Sequence, residues 1–426
     1  PHSPPPPAPP TSRCSSAASD VYQRQDFTLP QMLKQKGYST ACIGKWHLGW
    51  NWTFKHEPSG EVEQWGKLRK FYLPEDIDWT APITGGPNDR GFDFYFGDGT
   101  INFPPYAWME NNTLTEIPTE TMDINNVGYE THEGAWEFRP GPKVSGWNPY
   151  QVLPSLTTQA VDWIYQQKSS KQPFFLYLAL PSPHAPIIPN DEFIQKSAAG
   201  GYGDFMYQTD WVAGQVLEAI KTAGLEQNTL IIFSSDNGPE RYAFERAGKY
   251  QHFSMGEFRG LKRDVWEGGH HVPFIIKWPG KVPAATISEE VISQVDVMAT
   301  VAEIVGFDLP DSTALDSYSL LDVMLENPYP GPLREATVHN TFENIWAIRK
   351  GKWLFIDGPT GEHSKMPDSF KELRGYSDFE TAGLLFDMDQ DPGQTMNLIN
   401  EHTKLTSQLA QLLHTYRQQG YSRPPQ

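Results

Sequence analysis

The feature that most constrains this chain is a pattern that recurs three times. A stretch with helical spacing runs into a short continuous apolar segment, which stops at a cluster of polar residues. The first instance begins at Thr28, which suits an N-cap, with Pro30 in the first turn and Gly37 as the stop. A strand at 39–43 follows, then Gly44-Lys-Trp-His-Leu-Gly. In the second, a helix at 155–167 leads into a strand at 173–180 and then Pro181-Ser-Pro-His-Ala-Pro. In the third, an amphipathic helix at 205–223 carries Val212, Val216 and Ile220 on one face. A strand at 229–234 follows and ends in Ser235-Asp-Asn-Gly. A further strand is predicted at 272–278 and a helix at 294–305. Continuous apolar strands separated by helices predict an α/β fold with a largely parallel central sheet and helices on both faces. In such sheets ligands bind outside the carboxyl ends of the strands, which is where all three polar clusters fall.

The rest of the chain is organised around that core. Residues 1–20 are rich in Pro, Ser and Ala, with seven prolines in the first ten, and lack the apolar stretch of a signal peptide. We expect this segment to be disordered. Residues 21–327 read as the main domain, and the long stretch 50–150 reads as loops rich in Gly, Pro and aromatic residues. Residues 328–426 read as a small α+β C-terminal subdomain. It has alternating strands at 345–349 and 352–356, an antiparallel sheet, and a closing helix at 404–418. The 34 basic and 52 acidic residues give a net charge of −18, which argues against nucleic acid as a partner. No apolar run is long enough to span a membrane. Two cysteines, Cys14 and Cys42, support neither a disulfide framework nor a zinc knuckle.

Four clusters carry residues suited to chemistry. In an extended segment, residues two apart point the same way. Lys45 and His47 would therefore present a cation and a proton donor to one pocket, with Trp46 turned into the protein. That pairing suits an oxyanion ester whose leaving oxygen needs a proton, although a solvated lysine and a core histidine would read the same. His184 sits between prolines that stiffen its loop. Asp236 and Asn237 offer hard oxygens for calcium or magnesium, although Asn-Gly also marks a tight turn. The segment 261–271 places Lys262 to hold a further anionic oxygen, and Glu267-Gly-Gly as a buried acceptor in a tight turn. The adjacent His270 and His271 face opposite ways and have no third ligand at zinc spacing.

Taken in order, Gly44-Lys-Trp-His-Leu-Gly, Gly91-Phe-Asp-Phe-Tyr-Phe-Gly, Pro183-His-Ala-Pro, Ser235-Asp-Asn-Gly and Trp266-Glu-Gly-Gly resemble the formylglycine-dependent sulfatases of the alkaline phosphatase superfamily. The segment from Leu385 to Leu398 resembles that family's C-terminal signature. The resemblance implies an arylsulfatase-like sulfuric ester hydrolase acting on an aryl or, better suited to the aromatic loops (Trp50, Trp52, Trp65, Trp108, Trp136, Trp147), a carbohydrate sulfate. It implies that Lys45 and Lys262 hold sulfate oxygens, that His184 protonates the leaving oxygen, and that His47 takes a proton when the sulfated intermediate breaks down. It also implies that Asp236 and Asn237 supply part of a Ca2+ site, and that the enzyme works in the periplasm or outside the cell. His252, Asp264 and His270 are candidate sugar contacts. The sequence departs from the family at its start. The paired aspartates that complete the metal site and the C-x-P/A-x-R motif that becomes formylglycine are not matched. Cys14, in Cys14-Ser-Ser-Ala-Ala, lacks the Pro/Ala and the Arg, so no nucleophile is assigned and activity of these residues alone is not expected. Two alternatives follow: a sulfatase-like protein that binds sulfated glycans without turnover, and a phosphomonoester or phosphonate hydrolase on the same fold.

Overall fold

The computed structural model describes residues 27–64, 66–341 and 344–423. The 1–20 segment, Cys14 and Trp65 lie outside them. The chain divides into two compact units between Gln227 and Asn228.

In the first unit, helix α1 (Leu29–Gln35) opens with the expected cap. The Thr28 hydroxyl accepts from Gln31 N, and the Gln31 side chain returns to Thr28 N at 3.0 Å. Strand β1 (Ser39–Lys45) follows. The stretch read as loops contains a polar hairpin of β2 (Gly60–Gln64) and β3 (Lys67–Phe71), then β4 (Phe94–Gly99), β5 (Met109–Glu110), β6 (Thr113–Leu114), β7 (Glu120–Thr121) and β8 (Pro142–Lys143). Helix α2 (Val152–Gln167) leads to β9 (Phe174–Ala179), and α3 (Gly200–Thr222) closes the unit. The sheet order is β6-β5-β4-β1-β9. β1 pairs in parallel with β4 and β9, while the β4-β5 and β5-β6 pairings are antiparallel.

The sheet is therefore mixed, with its parallel part around β1. An apolar run reports burial but not direction, so the sequence could not show the turn-back at β5. β1 is an interior strand, between β4 and β9, and Ala41, Cys42 and Ile43 on it are wholly buried. Cys42, Trp46, Phe92, Tyr95 and Met109 form one core cluster. Burial raises the Cys42 thiol well above its ordinary pKa. β9 reads in sequence like β1 but borders the sheet, and its Tyr177 remains 49 % exposed.

In the second unit, β10 (Ile231–Ser234) pairs antiparallel with β11 (Phe274–Lys277). Helices α4 (Tyr242–Tyr250) and α5 (Asp296–Val305) are followed by the short α6 (Leu321–Met324). The C-terminal part has the expected antiparallel sheet, formed by β12 (Thr337–Asn340), β13 (Trp346–Lys350), β14 (Trp353–Asp357) and β15 (Leu384–Asp387) in that order. Helix α7 (Asp368–Arg374) precedes β15, and α8 (Thr403–Gln419) follows it. Leu409, Leu413 and Tyr416 of α8 pack on Ile348, Phe355 and Leu385 of the sheet. Trp266 is fully buried with Leu354, Ile356 and Phe386 on the same sheet.

Candidate active site

Lys45 closes β1 and His47 lies two residues beyond it. Gly44 has φ +114°, and a Cβ there would lie 2.1 Å from the Ala179 carbonyl oxygen of β9. Only glycine allows that approach, so this residue sets how β1 exits beside β9. Trp46 is buried, as expected, and its N–H donates to the Gly99 carbonyl at 2.6 Å. The His47 ring meets Phe103 at a centroid distance of 5.2 Å. His184 follows β9. Its loop is tied to α3 by the Thr209–Ser182 hydroxyl contact of 2.7 Å, and its Nδ1 faces the Ala185 carbonyl at 2.5 Å. With Nδ1–H as the donor, Nε2 is the nitrogen suited to proton transfer. Lys45, His47 and His184 thus all lie at or just past the carboxyl ends of adjacent parallel strands.

One carboxylate here was missed from the sequence. Asp98, near the end of β4, is 2 % exposed, and neither of its oxygens meets a hydrogen-bond partner on another described residue. Burial pushes its pKa up to about 7, against the pull of the Lys45 ammonium. Gly-Asp-Gly reads as a turn in sequence, which hid it. The native state keeps a proton that the unfolded chain releases between about pH 4 and pH 7, so stability falls as pH rises through that window. Asp98→Asn is expected to gain on the order of 2 kcal/mol at pH 8 and little at pH 4. Urea midpoints across pH measure this, and parallel profiles for the two proteins would refute it.

In the second unit, Asp236 and Asn237 follow β10 directly. The turn is not a hairpin to the next strand. Gly238 N instead donates to Gly269 O at 2.9 Å, and Lys262 N donates to Pro239 O at 2.9 Å. A Cβ on Gly238 would lie 1.9 Å from Gly268 O. The Asp-Asn turn and the Lys262 loop are therefore clasped together. Arg263, with φ +79°, adds a two-point contact to Glu240 at 3.0 and 2.7 Å. Although burial opposes it, the Arg263 partner holds the Glu240 carboxyl down to about 2. Lys262 itself is 3 % exposed.

Two of the three candidate sugar contacts have other occupations. Asp264 is buried and accepts from Leu261 N (2.7 Å), His363 N (2.7 Å) and Ser364 N (3.3 Å), so it braces the loop. His270 packs against His339 at 3.8 Å between ring centroids, and both rings face the Val265 carbonyl. Burial, and then the neighbouring His270, push His339 down to about 3. His271 faces the other way, as expected, onto Glu267 at 2.9 Å. Glu267 is the buried acceptor expected of the Glu-Gly-Gly turn. Burial opposes its ionisation, but His271, His270 and Arg349 hold it at about 2. His252 lies just past α4.

Asp236 and Asn237 suit a hard cation by donor type, and Asn237 Nδ2 donates to Gly238 O at 2.9 Å, leaving the amide oxygen as the ligating atom. Two donors fall short of the six to eight oxygens calcium takes. Among the described residues no group of three or more His, Cys, Asp or Glu side chains is placed to hold a metal ion.

The sulfatase family model matches residues 10–307. The chain belongs to the sulfatase family. A second model, N-sulphoglucosamine sulphohydrolase C-terminal, matches residues 256–419 of this sulfatase. An N-acetylgalactosamine-6-O-sulfatase of Bacteroides thetaiotaomicron is 28 % identical, over 92 % of this chain and 76 % of its own length. The dog N-acetylgalactosamine-6-sulfatase is 31 % identical over 71 % of this chain and 49 % of its own length. Among solved structures, a B. thetaiotaomicron sulfatase described with the metabolism of multiple glycosaminoglycans superposes with TM-score 0.74 and 26 % identity, covering 96 % of this chain and 85 % of that one. The sulfatase thus has the alkaline phosphatase-like architecture, a mixed central sheet with helices and a C-terminal antiparallel sheet. No helix among its described residues is long and apolar enough to cross a membrane.

Proposed function

We propose that this chain carries the recognition and proton-transfer residues of an enzyme that hydrolyses the 6-O-sulfate ester of an N-acetylgalactosamine-type sugar in a glycosaminoglycan. The observation that carries this is the position of Lys45, His47 and His184 at or just past the carboxyl ends of adjacent parallel strands, in a family with relatives that carry that sugar in their names. In the net reaction the sulfur–oxygen bond to the sugar breaks, water supplies oxygen to sulfur, and the sugar oxygen gains a proton. Lys45 and Lys262 hold sulfate oxygens, His184 delivers the proton to the leaving oxygen, and His47 accepts one from the attacking group. Asp236 and Asn237 would supply part of a Ca2+ site, and a cation held there would offset charge on the sulfuryl group. On this reading the reaction takes place in the periplasm or outside the cell.

Calorimetric binding tests the reading without requiring turnover. N-acetylgalactosamine 6-sulfate is expected to bind more tightly than the unsulfated sugar and the 6-phosphate. Lys45→Ala and Lys262→Ala should each weaken it about 10- to 100-fold, the loss of one hydrogen bond to a charged group. Equal binding of sulfated and unsulfated sugar would overturn the reading, and preference for the phosphate would favour a phosphomonoesterase. Sulfate release then separates hydrolysis from binding alone, the alternative suggested by the unmatched Cys14 motif.

A further inference from the structure

Beside His47 lies a feature that none of the family landmarks includes. The Phe103 ring that meets His47 also carries the Arg139 guanidinium, 5.0 Å from its centroid. Arg139 is built into place. The Tyr106 phenol, 1 % exposed, donates to Arg139 O at 2.7 Å and accepts from Arg139 N at 2.9 Å. One guanidinium nitrogen donates to the Glu137 carbonyl. The Glu137 carboxylate pairs with the guanidinium at 3.9 Å and also accepts from the Asn102 amide at 3.3 Å. The Arg139 side chain is 22 % exposed and Phe103 is 37 % exposed, so solvent reaches both.

A guanidinium fixed at the backbone, seated on an aromatic face and open to solvent, is suited to a planar anion. We propose that Arg139 is a specificity-determining residue that takes the carboxylate of the uronate next to the sulfated sugar, with Phe103 as the platform between the two positions. This rests on the reading above, because it takes His47 to mark the sulfated sugar. Carboxylate is preferred to a second sulfate because its two coplanar oxygens match the fork of the guanidinium.

Calorimetry on the full chain with four ligands tests this. They are a 6-sulfated disaccharide with its uronate, the same disaccharide with the carboxyl reduced to an alcohol, that reduced disaccharide carrying a second sulfate, and the 6-sulfated monosaccharide. The uronate disaccharide is expected to bind at least 10-fold more tightly than its reduced form. Arg139→Gln should abolish that preference while holding monosaccharide affinity within twofold, and Arg139→Lys should keep part of it. Equal binding of the uronate and reduced forms overturns the proposal, as does a preference that survives in Arg139→Gln. Equal tightness for the doubly sulfated ligand overturns the carboxylate assignment. Monosaccharide binding by the unmodified chain, with any of these failures, leaves the sulfate-ester reading intact. Failure of the unmodified chain to bind any of the four overturns both. Should Arg139→Gln lose its native circular dichroism, Arg139→Lys and the reduced ligand decide the matter.

Discussion

Asp296→Ala will lower the unfolding free energy by about 3–5 kcal/mol, the range for breaking a buried ion pair from one side. Asp296 is fully buried at the start of α5. One of its oxygens accepts from Arg334 and from Tyr318 N at 2.9 Å, and the other accepts from Ser293 N at 2.7 Å. Arg334 is itself only 4 % exposed at its side chain and lies over the Tyr318 ring at 4.6 Å. Alanine would leave a buried cation and two backbone N–H groups without their acceptor. Urea unfolding gives the number, and a change below about 1 kcal/mol would show that water or rearrangement replaces the carboxylate. In the double variant with Arg334→Met the loss should be smaller than the sum, since the stranded charge is gone.

Trp266→Ala should cost about as much, roughly 3–5 kcal/mol, by a different route. Its ring is fully buried against Phe379 and Phe386, and the Arg259 guanidinium lies 4.2 Å from its centroid. Gly260 and Gly361 approach so closely that a Cβ on either would lie 2.3 and 2.7 Å from tryptophan atoms. The surrounding segment cannot refill the space with side chains it does not have. Arg259 and Trp266 also frame the loop that carries Lys262, with Gly268 N bonded to Arg259 O at 2.7 Å. The variant should therefore lose sulfate-ester affinity along with stability. Unchanged affinity at temperatures where it remains folded would show that the Lys262 loop holds its shape alone.

The parts of this molecule legible in the sequence were those with local causes. The Thr28 cap and the apolar run of β1 depend on neighbours a few residues away. The same is true of the Lys45–Trp46–His47 alternation with its buried tryptophan. The β2–β3 hairpin escaped because Gly60–Gln64 and Lys67–Phe71 are mostly polar and the second strand is largely exposed, with no continuous apolar face to mark a strand. Asp98 and Arg139 escaped for another reason. Their roles come from burial and from Tyr106, 33 residues away from Arg139 in sequence. Asp264 shows a third limit: a polar loop residue looks the same in sequence whether it faces a ligand or braces its own backbone. The amides of His363 and Ser364, about a hundred positions downstream, give Asp264 the second role.

Cys42 gives the protein a built-in clock. Its thiol sits at the middle of β1, between β4 and β9, wholly buried and held protonated. An alkylating reagent needs an exposed thiolate, so it can react only in molecules whose strands have parted there. In a chain with Cys14 replaced by serine, the labelling rate in excess reagent counts those openings one molecule at a time. Its dependence on denaturant separates a local parting of strands from loss of the whole unit.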